Sequence, residues 1–294
     1  MADPIHIEFT RFSAFYSPLI ATFAGGFLQA EGFEPTHAVS APGRSAIEGL
    51  MAGTVQVGQS AVSQAFGPLE KGQRPPVAHF AQINEMDGFF LTGRAVERTF
   101  KWSNLKGRRV LIDHGNQPLA MFKYACLKRG LNFNDIVAVD IPSKDMDEAF
   151  RRGEGDYIHQ QGPNPQQLEF DKVGHIVASV GAAIGPCAFS SLVATRDWLL
   201  TDQAKRFTRA YRKARAFVIK TPAAEIAKVE APFFPSINPD VLTKTIAAYQ
   251  KLGNWTPHLE ITKPAWDAAN DVFLNAKLTT KRHRYEDAVV PPPA

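Results

Sequence analysis

The sequence predicts an α/β fold of two lobes, in which each lobe is a mostly parallel sheet flanked by helices. Three observations predict this fold. Short apolar strands alternate with short helices, the strand and helix series starts again near Arg109, and a helical stretch follows Thr201. Strands that alternate with helices form βαβ units, whose strands run parallel. The 294 residues are enough for two domains that each bury a core.

The first series begins with an alternating strand in which Ile5, Ile7 and Phe9 are apolar. Its predicted strands span residues 5–9, 35–39, 55–58, 77–83 and 89–92, and its helices span 18–30, 44–52 and 60–71. The second series has predicted strands at 109–113, 136–139 and 157–159, with helices at 118–129 and 144–152. Segments 48–53 and 148–153 both run from a glutamate to a glycine and precede a strand, which favours two related lobes.

The last third of the chain is predicted to be helical. Phe207, Tyr211, Ala214 and Val218 recur at helical spacing and predict one buried face. We expect the basic residues around it to be solvated, and a basic membrane-binding or calmodulin-type helix is the alternative. Those basic residues are Lys205, Arg206, Arg209, Arg212, Lys213 and Arg215. Two further amphipathic helices are predicted at 238–252 and 263–274.

Composition excludes several classes of protein. The formal net charge is +4, and lysine and arginine are scattered among acidic residues, so we expect no nucleic-acid partner. Cys126 and Cys187 are the only cysteines, too few for a disulfide framework or a metal cluster. No stretch is long and apolar enough to span a bilayer, so we expect no membrane insertion. The first residues lack the basic and apolar regions of a signal peptide, which leaves a cytoplasmic location open.

Five segments, in this order along the chain, resemble the SsuA/THI5-like (NMT1-type) substrate-binding proteins of ABC importers. The segments are 26–34, 52–58, 104–110, 153–157 and 285–287. Segment 52–58 departs from the pattern, because Gln56 stands where the family usually has an aspartate. The resemblance implies a periplasmic-binding-protein-like (type 2) fold. It also implies that two crossovers join the lobes, with lobe one formed by residues 1–93 plus 190–294 and lobe two formed by residues 94–189.

The resemblance further implies a function. A protein of this family would capture a small polar or anionic organic ligand, such as a sulfonate, a nitrate- or taurine-like solute or a pyrimidine, in the cleft between its lobes. Its expected partners are this small-molecule ligand and an ABC permease. We expect a monomer with no cofactor and no metal, in the periplasm where such proteins act.

We expect the ligand contacts in five loops, because ligands of open α/β sheets bind beyond the carboxyl ends of the strands. Helix N-termini in those loops favour anions and acceptor groups. In the first lobe the candidates are Phe12, Ser13, Tyr16, Ser17, Gly43, Arg44, Ser45, Gln59 and Ser60. In the second lobe they are His114, Asn116, Gln117, His159, Gln160, Gln161 and Gly162.

The candidates suggest which groups the ligand carries. A guanidinium at the mouth of a helix suits an oxyanion, so Arg44 is the candidate for an acidic group. The amides of Gln160 and Gln161 suit a heteroaromatic or amide-bearing ligand. Simpler roles stay open: Arg44 could be solvated, and the candidates Ser13, Ser45, Ser60 and Asn116 could be helix N-caps only. We expect His114 and His159 to make a poor metal site, because we do not expect carboxylates or thiolates to complete a ligand set around them.

The alternative to a binding protein is an enzyme on the same scaffold: a desulfinase or decarboxylase of an aromatic acid, or a pyrimidine-precursor synthase. Thiol chemistry would need a cysteine beside a base or in an electropositive pocket. The first loop has no cysteine, which departs from the desulfinase pattern, and the cysteine- and histidine-rich motif of the synthase is missing. We therefore expect no catalytic residues, with Cys126 in the core and Cys187 near a crossover.

Overall fold

The structure is a computed structural model that describes residues 2–41 and 44–294. Ten strands form two five-stranded sheets. In chain order the strands are β1 (Asp3–Phe9), β2 (Phe33–Val39), β3 (Val57–Ala61), β4 (Val77–Asn84), β5 (Phe89–Gly93), β6 (Arg109–Ile112), β7 (Val137–Asp140), β8 (Tyr157–Gln161), β9 (His175–Ser179) and β10 (Ser190–Thr195).

The two sheets have the same topology. The first has the order β2-β1-β3-β10-β4 and the second has the order β7-β6-β8-β5-β9. In the first sheet β1 pairs in parallel with β2 and β3, and β10, which arrives from the other sheet, pairs antiparallel with β3 and β4. In the second sheet β6 pairs in parallel with β7 and β8, and β5, which arrives from the first sheet, pairs antiparallel with β8 and β9. The sheets are therefore mixed, with two parallel and two antiparallel pairings each. The predicted α/β class is confirmed, and the antiparallel pairings come from β5 and β10.

The sheet that each strand joins locates the crossovers. Strand Phe89–Gly93, which the predicted division assigned to the first lobe, pairs with β8 and β9 of the second sheet. Strands β9 and β10 were not predicted. We propose that lobe one comprises the first sheet with the C-terminal helices, that lobe two comprises residues 89–184, and that the crossovers are residues 85–88 and 185–189.

Within the described ranges, thirteen α-helices cover the sheets. They are α1 (Ser17–Ala24), α2 (Phe27–Ala30), α3 (Ala46–Met51), α4 (Phe66–Glu70), α5 (Asn116–Lys128), α6 (Met146–Arg151), α7 (Asn164–Phe170), α8 (Val180–Ile184), α9 (Asp202–Lys220), α10 (Ala223–Glu230), α11 (Pro239–Leu252), α12 (Lys263–Asn275) and α13 (Tyr285–Ala288). The helix predicted at 18–30 is broken where Gly26 adopts a φ of 70°, a left-handed conformation that favours glycine. Across the residues described, no helix has the length and apolar character needed to cross a bilayer.

Helix α9 corrects one prediction. Its apolar face is buried as predicted, with Phe207, Tyr211, Ala214 and Val218 inaccessible to solvent. Arg215, predicted to be solvated, is also buried. Its guanidinium donates to the carbonyls of residues 82, 83 and 256 at 2.6–3.3 Å. These carbonyls satisfy the donors of the charge. Because the apolar face of α9 packs into lobe one, the membrane and calmodulin alternatives lose the free apolar face that they require.

The apolar core continues from one lobe into the other. Phe15 of lobe one contacts Phe189 edge-to-face, with ring centroids 5.6 Å apart. Phe89, the first residue of β5, lies 6.4 Å from Phe189 and stacks on His159 at 4.7 Å. The phenylalanines at both crossovers are buried. Their packing fixes the two crossovers beside the ends of β3 and β8, where polar side chains collect.

Candidate functional site

Two adjoining cavities lie between the lobes, beyond the carboxyl ends of β1, β3, β6 and β8, where ligands of open α/β sheets bind. The first cavity, of about 140 Å³, is lined by Thr10, Arg11, Tyr16, Ser45, Gln59, Ser60, Ala61, Gln64, Phe89, Gln117, Pro118, Gln161, Phe189 and Ser190. The second, of about 150 Å³, is lined by Arg11, Phe12, Ser13, Phe89, Asp113, Ser143, Met146, His159, Gln160, Gln161, Gly162, Pro163 and Asn164. Arg11, Phe89 and Gln161 line both cavities, so these three side chains divide one cleft in two.

The end of β8 contributes buried polar atoms that have no hydrogen-bond partner. Both ring nitrogens of His159, Oε1 of Gln160, and both Oε1 and Nε2 of Gln161 are in this state. The three side chains are consecutive and buried. Buried polar groups are almost always hydrogen-bonded, because leaving one without a partner costs about 1–3 kcal/mol. These atoms are therefore buried polar groups with free hydrogen-bonding capacity on residues that line the second cavity.

His159 is held in place by aromatic rings. It stacks on Phe89, with ring centroids 4.7 Å apart and planes 28° apart, and it contacts Phe122 at 4.9 Å. Burial lowers the pKa of His159 to about 3, although the nearby Asp113 carboxylate acts in the opposite direction. The ring is therefore neutral at physiological pH, and it presents one donor and one acceptor to the cleft.

Arg11 lies across the cleft and contacts the other lobe. Its guanidinium donates to Oδ2 of Asp113 at 3.1 Å and lies 5.8 Å from the ring centroid of Phe89. The backbone N–H groups of Thr10 and Arg11 donate to Oε1 of Gln59 at 3.0 and 3.2 Å. The side-chain amide of β3 thus fixes the backbone from which Arg11 extends. The sequence analysis did not include Arg11 among the candidate site residues. The feature that could have indicated it was its position just after β1.

Asp113 is the buried partner of this ion pair. Burial alone would raise its pKa, but the Arg11 guanidinium and the Gly115 N–H lower the pKa of Asp113 below its usual value. The Gly115 N–H donates to Oδ1 at 2.9 Å, just before α5 begins at Asn116. Asp113 is therefore ionised and anchored at both oxygens.

Two further hydrogen bonds join the lobes across the cleft. Ser13 Oγ donates to the Gly162 carbonyl at 2.6 Å, and Ser63 Oγ donates to Oε1 of Gln117 at 2.6 Å. Ser13 Oγ also accepts from the Phe15 N–H at 3.1 Å, so this residue has the N-cap role and an interlobe contact together. The cleft is closed in this structure, with direct contacts between the lobes.

Most of the predicted residues come together at the two cavities. Those lining them are Phe12, Ser13, Tyr16, Ser45, Gln59, Ser60, Gln117, His159, Gln160, Gln161 and Gly162. Ser45 and Asn116 make no side-chain cap at the start of their helices. Tyr16 is buried beside Gln161 and Ser190, and burial raises its pKa, so its hydroxyl keeps its proton.

Four predicted residues lie outside both cavities. Arg44 is exposed at the surface and pairs with Glu48 at 2.9 Å, one helical turn away. Ser17 is buried and donates to Glu230 at 2.8 Å. His114 lies 3.1 Å from Asp140. Asn116 is the first residue of α5, and its side chain lines neither cavity. Gly43 lies outside the residues that the structure describes.

The two thiols are unsuited to nucleophilic chemistry. Burial raises the pKa of Cys126 to about 12 and raises the pKa of Cys187 further above its usual value. A thiolate is the reactive form of cysteine, so both thiols are inert at physiological pH. Within residues 2–41 and 44–294, no cluster of three or more histidine, cysteine or acidic side chains could hold a metal ion.

Comparison with known proteins agrees with this architecture. A Bacillus subtilis (strain 168) protein named "Putative binding protein YtlA" is 27% identical over 282 residues, which cover 94% of this chain and 84% of that protein. The periplasmic aliphatic sulphonate binding protein SsuA from Escherichia coli superposes with a TM-score of 0.77 at 14% identity, over 99% of this chain and 93% of that one. The ligand binding component of an ABC-type import system from Staphylococcus aureus gives a TM-score of 0.74 at 14% identity, over 98% and 97%.

The solved structures confirm the two-lobed, periplasmic-binding-protein-like fold. The relatives compared are described as binding proteins, which agrees with the prediction of a binding protein over an enzyme. The model of the family described as NMT1/THI5 like matches residues 15–225, and this range includes the end of β8 and Asp113. The chain therefore belongs to the NMT1/THI5-like family, as its sequence motifs predicted.

Proposed function

We propose that this protein is a solute-binding protein that captures a small polar organic molecule between its lobes and delivers it to an ABC importer. The observation that carries the proposal is the row of unpartnered polar atoms on His159, Gln160 and Gln161, which faces the cleft. Aromatic surface from Tyr16, Phe89 and other lining residues surrounds these atoms. Concave sites with mostly apolar walls and a few placed polar groups are typical of small-molecule binding.

Closure of the cleft is the proposed mechanism. Ligand groups that bind the end of β8 in lobe two would also contact lobe-one residues such as Arg11 and Gln59, which line the same cleft. A ligand that contacts both lobes binds the closed state more tightly and shifts the equilibrium toward it. The crossovers at 85–88 and 185–189 would absorb the change in backbone angles.

Gln161 provides the test of the site. Thermal-shift screening against alkanesulfonates, taurine, nitrate, aromatic carboxylates and aminopyrimidines would identify a ligand, and calorimetry would give its Kd. We expect Gln161→Ala to weaken binding by about tenfold or more, because each lost hydrogen bond costs on the order of 1 kcal/mol. Gln167→Ala is the matched control: this amide donates to Asp171 at 2.9 Å and lines neither cavity. Equal affinity in the two variants would move the site away from the cleft.

A second measurement separates binding from catalysis. The protein is incubated with the identified ligand, and the ligand is then released by denaturation and analysed by mass spectrometry. We expect it to be recovered intact, because the two thiols are buried and keep their protons. Recovery of a desulfinated or decarboxylated product would contradict the proposal.

The role in import is the part of the proposal that rests on comparison with other proteins. Its support is family membership together with the structural likeness to the ligand binding component of an ABC-type import system. Because the fold also resembles that of the periplasmic Escherichia coli protein, we propose that this protein acts outside the cytoplasmic membrane. Deletion of the coding sequence should abolish high-affinity uptake of the identified ligand. Unchanged uptake at concentrations near the Kd would contradict the transport role.

A further inference from the structure

We infer that the cleft selects an uncharged solute and that Asp113 is the residue that excludes anions. The inference rests on the proposed function, because it concerns the ligand of the same cleft. It is carried by the way in which the two charged side chains of the cleft neutralise each other across the lobes.

The charges that line the cleft are paired. Among the described residues that line either cavity, Arg11 is the one lysine or arginine and Asp113 is the one carboxylate. Their atoms Nη2 and Oδ2 are 3.1 Å apart. The pair contributes no net charge, and the remaining polar lining groups are neutral hydroxyls, amides and an imidazole. A ligand anion would therefore find no uncompensated cation there.

A ligand cannot readily displace the Asp113 carboxylate from the Arg11 guanidinium. The Asp113 side chain is 5% exposed, against 42% for that of Arg11, and its other oxygen accepts from the Gly115 N–H at the start of α5. An anion that approached the Arg11 guanidinium would lie within a few ångströms of this fixed carboxylate. Like charges at such distances in a partly dry site repel strongly, which discriminates against the wrong ligand.

The groups left without partners suit a neutral ligand. The amide of Gln161 offers a donor and an acceptor, Gln160 offers an acceptor, and the neutral ring of His159 offers one of each. Phe89 and Phe189 supply aromatic walls beside them. This set matches a planar molecule that carries both donors and acceptors, such as an uncharged nitrogen heterocycle or an aromatic amide.

Asp113→Asn is the variant that tests the inference. Asparagine keeps an oxygen to accept from the Gly115 N–H but removes the negative charge beside Arg11. The probes are nicotinamide and nicotinate, which share a ring and differ in charge. We expect calorimetry to show that Asp113→Asn binds nicotinate at least about tenfold more tightly, relative to nicotinamide, than the unaltered protein does. Asp135→Asn is the control, because Asp135 pairs with Lys106 at 3.4 Å outside the cleft.

A double variant shows whether the gain depends on Arg11. Adding Arg11→Gln to Asp113→Asn should abolish the gain in nicotinate binding, since the freed guanidinium would be its source. Mere loosening of the lobes would change the affinities of both probes together and leave their ratio constant. Should Asp113→Asn fold poorly, Asp113→Ser keeps a short acceptor for the Gly115 N–H and serves the same comparison.

The outcomes separate this inference from the proposed function. An unchanged nicotinate-to-nicotinamide affinity ratio in Asp113→Asn overturns the inference, and so does failure of either probe to bind that variant. So does the discovery that the unaltered protein binds an anion in the cleft. Either result leaves the proposed function intact if the screened ligand depends on Gln161. Loss of that dependence overturns the proposed function instead.

Discussion

The hydroxyl of Tyr249 accepts a hydrogen bond from the Gly162 N–H at 2.8 Å and donates one to the Gly88 carbonyl at 3.0 Å. Tyr249 belongs to α11 of lobe one, Gly162 follows the site strand β8 of lobe two, and Gly88 belongs to a crossover. One buried hydroxyl therefore connects the two lobes and the crossover. The position of Gln161, the neighbour of Gly162, depends on this connection.

Replacing Tyr249 with phenylalanine should destabilise the closed protein. Tyr249→Phe leaves the Gly162 N–H and the Gly88 carbonyl without a partner, at a cost of about 1–3 kcal/mol in the free energy of unfolding. Urea denaturation measures this change. Tyr285→Phe is the control, because the Tyr285 hydroxyl makes one hydrogen bond, to the Ile261 carbonyl at 2.7 Å, within lobe one. Equal losses in the two variants would contradict the bridging role of Tyr249.

A methyl group at Gly162 should hold the lobes apart. A Cβ there would lie 2.8 Å from Cγ2 of Thr245 and 2.9 Å from the Tyr249 hydroxyl, both on α11. We expect Gly162→Ala to increase the radius of gyration measured by X-ray scattering and to lower the ligand affinity by about tenfold or more. Gly67→Ala adds a methyl group where no atom lies within 4 Å, so it should change neither quantity. A compact Gly162→Ala protein with full affinity would show that the contact relaxes locally.

The sequence predicted the strand and helix series well, but it predicted less well which side chains line the cleft. Periodicity located β1 and the long helices because each has one buried face. It missed β9, whose residues are all half-buried and so show no alternation. Arg44 and Arg11 both follow strands, and the local sequence gave no reason to prefer one of them as the arginine of the cleft. The fold places them differently: Arg44 pairs at the surface with Glu48 of the helix that follows it, whereas Arg11 pairs with Asp113 of the other lobe.

The burial of individual charged and polar groups also could not be predicted from the sequence. Arg215 has the same spacing as its solvated basic neighbours, and it is buried because carbonyls distant in the chain accept from it. The glutamines at the end of β8 line the cleft, as expected for polar residues that follow a strand. Their lack of hydrogen-bond partners, on which the proposed site rests, could be seen only in the three-dimensional arrangement.

His159 should contribute to binding at the expense of stability. Its two ring nitrogens are buried without partners between Phe89 and Phe122. We expect His159→Phe to raise the free energy of unfolding by about 1–2 kcal/mol, because it removes unsatisfied polar groups from an aromatic stack. The same variant should bind the identified ligand more weakly. Urea denaturation and calorimetry measure the two effects.

His79 supplies a control for which the expected change in the free energy of unfolding has the opposite sign. It is equally buried, but its Nδ1 hydrogen-bonds Ser191 Oγ at 2.7 Å. His79→Phe removes a satisfied group and strands the Ser191 hydroxyl, so it should lower the free energy of unfolding. If His159→Phe destabilises the protein as much as His79→Phe does, then His159 is a core residue and its unpartnered nitrogens have no ligand.

Asp87, in the crossover before β5, should make stability depend on pH. Its carboxyl is buried, its Oδ1 accepts from the Phe89 N–H, and its Oδ2 has no partner. Burial raises the pKa of Asp87 from 3.8 to about 8, with the Asp113 charge adding to the effect. The folded protein therefore holds a proton that the unfolded chain releases above its ordinary pKa. The resulting stabilisation is complete below about pH 4 and is lost as the pH rises to about 8.

Asp87→Asn should remove this dependence, since asparagine retains the acceptor for the Phe89 N–H and cannot ionise. We expect the free energy of unfolding of Asp87→Asn, minus that of the unaltered protein, to increase steadily between about pH 4 and about pH 8. Urea denaturation at several pH values measures the difference. Asp145→Asn, at an exposed position, should give a constant difference over the same range. Parallel curves for Asp87→Asn and the unaltered protein would mean that the Asp87 carboxyl ionises freely in the folded state, and that the crossover beside the cleft admits water.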